Sequence, residues 1–217
     1  MKVFTSATDI SEFNLNYSGS APDRFGATAF SFTAILSPGN LTHHEDASDY
    51  EAQRHNARAK FAYQTLSLER IWNFPRGVTL STKFTGQVSS RNLLGSEQLG
   101  FGGYRTLRGY EESEYNADQG LIANVELRSP RFMLGKIGPD DDLRSYLQVL
   151  AFWDYGLARN HDLRPNEVTP DLSSVGVGAR YNLGTHVSLR FDYGWRLERG
   201  FVRNDGGRMH IGVTISY

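Results

Sequence analysis

The chain has 217 residues, and its 23 basic and 24 acidic side chains leave a formal net charge of -1. That balance, with the basic residues scattered, excludes the concentrated positive footprint of a nucleic-acid binder. The absence of cysteine excludes disulfides and thiolate metal sites, and no run approaches the ~20 consecutive apolar residues of a transmembrane helix.

A negative mean hydropathy does not separate a soluble protein from a membrane β-barrel, because a barrel hides its apolar residues in alternation. Period-2 alternation does recur, and it predicts nine strands. In residues 13–17, Phe13, Leu15 and Tyr17 oppose Asn14 and Asn16. Segments 27–36 and 56–72 are less regular, and the second changes phase near Thr65, as a β-bulge requires. In 77–90, Val78, Leu80, Phe84 and Val88 oppose Ser81, Lys83, Thr85 and Gln87. In 120–128, Leu121, Ala123, Val125 and Leu127 oppose Asn124, Glu126 and Arg128. In 144–155, Leu147, Val149, Ala151 and Trp153 take one face and Gln148, Phe152 and Asp154 the other. Segments 172–181, 187–196 and 207–217 repeat the pattern, with Val177, Phe191 and Ile211 on the apolar side and Arg180, Arg190, Asp192 and Arg196 on the polar side.

Connection lengths alternate too. Short links are expected near 19–24, 73–77, 133–143 and 183–185, and long ones at 37–55, 90–118, 157–171 and 197–207. Short turns at one rim and long loops at the other are the habit of bacterial outer-membrane barrels, and they put loop 90–118 on the outer side. The charges of the polar face need water, since unpaired charges in a packed interior cost several kcal/mol each. A wide hydrated lumen with lipid outside meets that need, and Tyr193, Trp195 and Tyr217 then fall at the membrane interface. A soluble sheet with one packed face is the competing arrangement, and it gives no reason for segregated loop lengths.

Loop 90–118 carries Leu107-Arg108-Gly109-Tyr110, and it precedes Glu126-Leu127-Arg128-Ser129-Pro130 and then Phe152-Trp153-Asp154-Tyr155-Gly156. A loop this long without structure of its own is uncommon unless it has a task. Guanidinium grips carboxylate through two parallel hydrogen bonds, which lysine cannot copy. A loop tucked into the lumen would therefore bring Arg108 to Asp154 on the inward face of its strand, with Glu126 a second carboxylate for the same network.

In order and spacing these three elements resemble the signature of the haemolysin secretion/activation (TpsB) transporters of two-partner secretion, a branch of the superfamily that also holds the outer-membrane barrel-assembly protein. The resemblance implies an all-β fold: an antiparallel transmembrane β-barrel in which these nine strands are the C-terminal part of sixteen, and 207–217 is the last. It implies a sixth extracellular loop folded into the pore, with Leu107, Arg108, Gly109 and Tyr110 at its tip, Asp154 as anchor, and Glu126 and Gly156 in the surrounding network.

It further implies an outer-membrane translocator that passes a large unfolded exoprotein, is not an enzyme, needs no cofactor or metal, binds no nucleic acid, contacts outer-membrane lipid and lipopolysaccharide, and is a monomeric barrel when full length. An assembly factor and the barrel of a patatin-like surface protein are the alternatives within the superfamily. The N-terminus lacks the apolar core of a signal peptide, so residues 1–217 are expected to be the C-terminal portion of a longer protein.

The remaining constellations carry less. His43-His44-Glu45-Asp46 lies in a polar loop without the rigid spacing of a metal site. Gly176, Gly178 and Gly100 to Gly103 lack the strand–turn–helix context of a dinucleotide site. His161, His186 and His210 have no obvious serine or aspartate partner in register along the sequence, so no nucleophilic catalysis is expected.

Overall fold

The computed structural model describes residues 8–136, 144–165, 167–198 and 201–216. The strands are β1 (Phe13–Asp23), β2 (Gly26–Ser37), β3 (Phe61–Asn73), β4 (Thr79–Ser89), β5 (Leu99–Phe101), β6 (Tyr115–Ala117), β7 (Gln119–Arg128), β8 (Phe132–Lys136), β9 (Arg144–Arg159), β10 (Asp171–Leu183), β11 (Val187–Glu198) and β12 (Phe201–Ile215), with one helix, α1 (Ala47–Gln53). The large sheet is an antiparallel meander in the order β1-β2-β3-β4-β7-β9-β10-β11-β12, and β5 pairs with β6 apart from it.

Strand β8 is the tail of β7. Both pair with β9, and the ladder is interrupted between them at Pro130, which has no N–H to donate. Ser129 bridges the gap: its N–H donates to Val149 O at 2.9 Å, and its Oγ accepts the Val149 N–H at 3.1 Å. The nine predicted strands are thus the nine of the main path, extended at their ends, while the short link expected at 133–143 begins only after Lys136, its remainder lying outside the described residues.

Residues opposite one another in an antiparallel ladder share a face, so the register carries one side across the sheet. The row Glu69, Lys83, Asn124, Asp154, Ser174 and Arg196 is polar. The row offset by one, Phe30, Leu68, Phe84 and Ala123, is apolar. The apolar side is open: Phe13, Leu15, Tyr17, Leu66, Val149, Trp153, Ile211 and Ile215 are all exposed. A contiguous exposed apolar band of this kind is foreign to a soluble monomer and is what lipid covers on a transmembrane barrel. Tyr193 and Trp195 stand on that side, their rings 4.9 Å apart; Tyr217 lies outside the described residues.

Two expectations are corrected. β3 pairs with both neighbours without a register shift, so Thr65 marks no bulge, and the strand starts at Phe61. The change of phase reflects a change of environment. Phe61 and Tyr63 point inward against Ile35, Tyr50, Leu93 and Leu94, an apolar cluster built by the long loops, whereas Leu66 and Leu68 point outward. Second, 197–207 is not a long loop: Leu197 pairs with Val202 and Glu198 with Phe201, after a register shift beside Trp195 that Gly206, at φ +104°, accommodates. The other three long connections stand, and α1 lies within the first of them, between β2 and β3.

If the apolar side faces lipid, Leu66→Arg in the full-length protein will destabilise the folded barrel in vesicles by about 2 to 4 kcal/mol. Ser67→Arg, on the polar side of the same strand, will cost far less. Urea titration of both variants measures the difference.

Candidate functional site: a loop anchored on the inner wall

The connection between β4 and β7 folds back over the polar side of the sheet. The short β5–β6 pair closes its base, and Phe101 and Leu107, both fully buried, pack with Ile122 of β7 and Ala158 of β9. Two strand glycines make room. A Cβ at Gly156 would come within 3.0 Å of Leu107 and 2.9 Å of Phe101, and one at Gly194 would sit 2.6 Å from the Arg108 carbonyl carbon. Gly109 has φ +105°, a conformation that side chains rarely tolerate, and this turn aims residue 108 at the wall.

Arg108 there meets Asp154 of β9. Its Nε donates to Oδ2 and its Nη2 to Oδ1, each at 2.9 Å, and its backbone N–H donates to Oδ2 at 3.0 Å. Asn124 Nδ2 completes the carboxylate at 2.9 Å while also donating to Thr106 O. Nη1 pairs with Glu126 of β7, and the Phe152 ring centroid lies 3.5 Å from Cζ, a cation–π distance. Arg108, Asp154 and Glu126 are all buried. Burial works against the Arg108 charge, but the Asp154 and Glu126 carboxylates outweigh it and hold the guanidinium above its ordinary pKa.

Tyr110 is buried too, its OH donating to Ser173 O at 3.0 Å. The structure therefore brings together all seven residues singled out from the sequence: Leu107, Arg108, Gly109 and Tyr110 on the loop, and Glu126, Asp154 and Gly156 on the wall.

Over residues 5–181 the chain matches a sequence model described as haemolysin secretion/activation protein ShlB/FhaC/HecB. It belongs to that family. Across 91 residues it is 30% identical to the outer membrane transporter CdiB of Dickeya dadantii (strain 3937), an alignment that covers 42% of this chain and 16% of the relative. The chain thus spans a small fraction of the length of the curated relative it matches. The ShlB/FhaC/HecB family is one of outer-membrane transporters and not of enzymes.

Three further groups hold the family's loop in this chain without having been singled out from the sequence. Arg196 of β11 donates through Nε to Gly109 O at 2.9 Å, clasps Glu114 through Nη1 and Nη2 at 2.9 and 2.6 Å, and lies 4.6 Å from the Tyr110 ring centroid. Asp192 is buried between Arg180, 2.9 Å away, and Arg190 and Arg108 at 3.7 and 3.8 Å. Asp118, fully buried at the start of β7, accepts the N–H groups of Leu93 at 2.9 Å and His161 at 3.2 Å, the side-chain amide of Gln98 at 3.2 Å and Arg54 Nη2 at 3.0 Å. That single carboxylate joins all three long connections. Its only sequence signal is an acid beside a strand start, which is too common to single out.

Two substitutions test the packing. Gly194→Ala will push the Arg108–Gly109 backbone off the wall at about 1 to 3 kcal/mol, seen as faster amide exchange across 102–114 with strand protection kept. Asp118→Ala strands Arg54 and will cost about 3 kcal/mol, with faster exchange in all three long connections together.

Proposed function

We propose that the full-length protein is a translocator that carries a large unfolded partner exoprotein across the outer membrane, and that residues 1–217 form the C-terminal portion of its sixteen-stranded, monomeric barrel. The single observation that carries this reading is the Arg108–Asp154 grip, a buried bidentate ion pair on the water-facing side of a sheet whose other side is greasy. A packed soluble core would not need a tethered loop over a charged wall. In a transporter the same loop occupies the lumen, and its tether sets how the pore is held. Family membership and the likeness to an outer membrane transporter support the assignment. In this reading Leu107, Gly109, Tyr110 and Gly156 shape the tip and its seat, Glu126 links Arg108 to Arg128 and Arg180, and outer-membrane lipid and lipopolysaccharide cover the apolar band.

Removing one partner of a buried pair leaves the other uncompensated at about 3 to 5 kcal/mol. Arg108→Ala and Asp154→Ala, made in the full-length protein, will each lower secretion of the partner while leaving membrane insertion intact. Arg108→Lys will rescue poorly, since lysine cannot reproduce the two parallel bonds. Secretion at the wild-type level by both alanine variants would overturn the proposed role of the pair.

A further inference from the structure

We infer that the lumen beside the loop tip holds an anion-recognition site that engages acidic stretches of an extended polypeptide. This inference names a substrate feature for the translocator proposed above and rests on that reading. A cavity of about 500 Å³ opens between the loop and strands β3, β4, β7, β10 and β11. Six cationic side chains line it, Lys83, Arg105, Arg108, Arg128, Arg180 and Arg190, against two carboxylates, Glu69 and Glu126.

The internal acids do not balance that charge. Glu126 is shared among Arg108, Arg128 and Arg180, and Asp192 among Arg180, Arg190 and Arg108. Arg190 is stacked on Tyr104, with Cζ 3.7 Å from the ring centroid, and its buried Nε donates no hydrogen bond among the described residues. Arg105 Nε donates to the Tyr104 hydroxyl at 2.7 Å. Among the described residues no carboxylate lies within ion-pair distance of Lys83 or Arg105.

Arg105 is exposed and Lys83 half-buried, so these cations attract an anion without the penalty of full burial. Clefts lined by one sign of charge concentrate opposite charge. The register also places the site. Arg180 and Arg190 share a row with Gln148, six residues before Asp154 along β9, or about 20 Å nearer the short-turn rim. A chain entering from that rim meets the strand positions of Arg180 and Arg190 first and reaches Lys83 at the level of Asp154. Carboxylate side chains on a strand-like segment recur every ~7 Å on one face, which lets one segment reach several of these cations at once.

The test uses the full-length transporter in detergent and a fluorescein-labelled deca-glutamate peptide, with deca-serine as control and fluorescence anisotropy as readout. Deca-glutamate will bind, deca-serine will not, and binding will weaken as salt is raised. Lys83→Gln combined with Arg105→Gln removes cations that hold no ion pair. It will weaken binding by about tenfold, the loss expected for two screened ion pairs, while Lys83→Arg combined with Arg105→Lys keeps it. The gel mobility of unheated samples verifies that each variant is folded. Equal affinity of wild type and the glutamine variant, or equal binding of the two peptides, overturns the inference. Secretion by the wild type is scored in parallel. Secretion without peptide binding overturns this site alone, and peptide binding without secretion overturns the translocator reading.

Discussion

One guanidinium held by one carboxylate organises the inner side of this molecule. Asp154 has no exposure, and both its oxygens are filled by Arg108 and Asn124. Such a group is tolerable only when its charge is matched and its lone pairs are occupied, so the loop is required by the wall as much as the wall by the loop. Glu126 and Phe152 extend the seat, and Gly156 and Gly194 remain bare so that the loop backbone can approach. The anchor depends in turn on the register of β7, β9, β10 and β11, since a slip of one residue would turn Asp154 toward the apolar side.

The two sides of the sheet divide the physics. Outside, the apolar side chains lie exposed, in the manner of the lipid-facing surface of a transmembrane barrel. Inside, among the described residues, apolar side chains gather in two clusters beneath the long connections and in Leu150 and Phe152 against Gly178 and Gly176, and ion pairs and hydrogen bonds line the wall between them. This explains why a chain rich in charged residues can still belong in a membrane.

Much of this was legible in the sequence, for local reasons. Alternation located all nine main strands, because an apolar side and a polar side of one sheet impose a two-residue period. The motifs located Arg108, Asp154 and Glu126, because their order along the chain survives folding. Misreadings arose where the environment changed along a strand. At Phe61 and Tyr63 the apolar residues turn inward because loops supply an apolar partner, and this imitates a bulge. Beyond the bulge at 203–206 the ladder resumes at Val202 and Phe201, opposite Leu197 and Glu198, without the expected alternation, since pairing needs backbone groups and not a greasy face. Asp118 and the loop contacts of Asp192 and Arg196 were not legible, because their partners lie far away in the chain and no spacing rule connects them.

The buried carboxylate at the head of β7 has a consequence for how such a protein can diverge. Connections on a barrel rim ordinarily accept insertions and deletions one at a time, because each ends in solvent. Here the β2–β3 connection delivers Arg54, the β4–β7 connection Leu93 and Gln98, and the β9–β10 connection the His161 amide, all to Asp118. Lengthening any one of them on the wrong side of its contact withdraws a ligand from a charge that water cannot reach. The three segments are therefore free to vary at their tips but tied in length at their roots, and change at this rim is a joint affair of the trio.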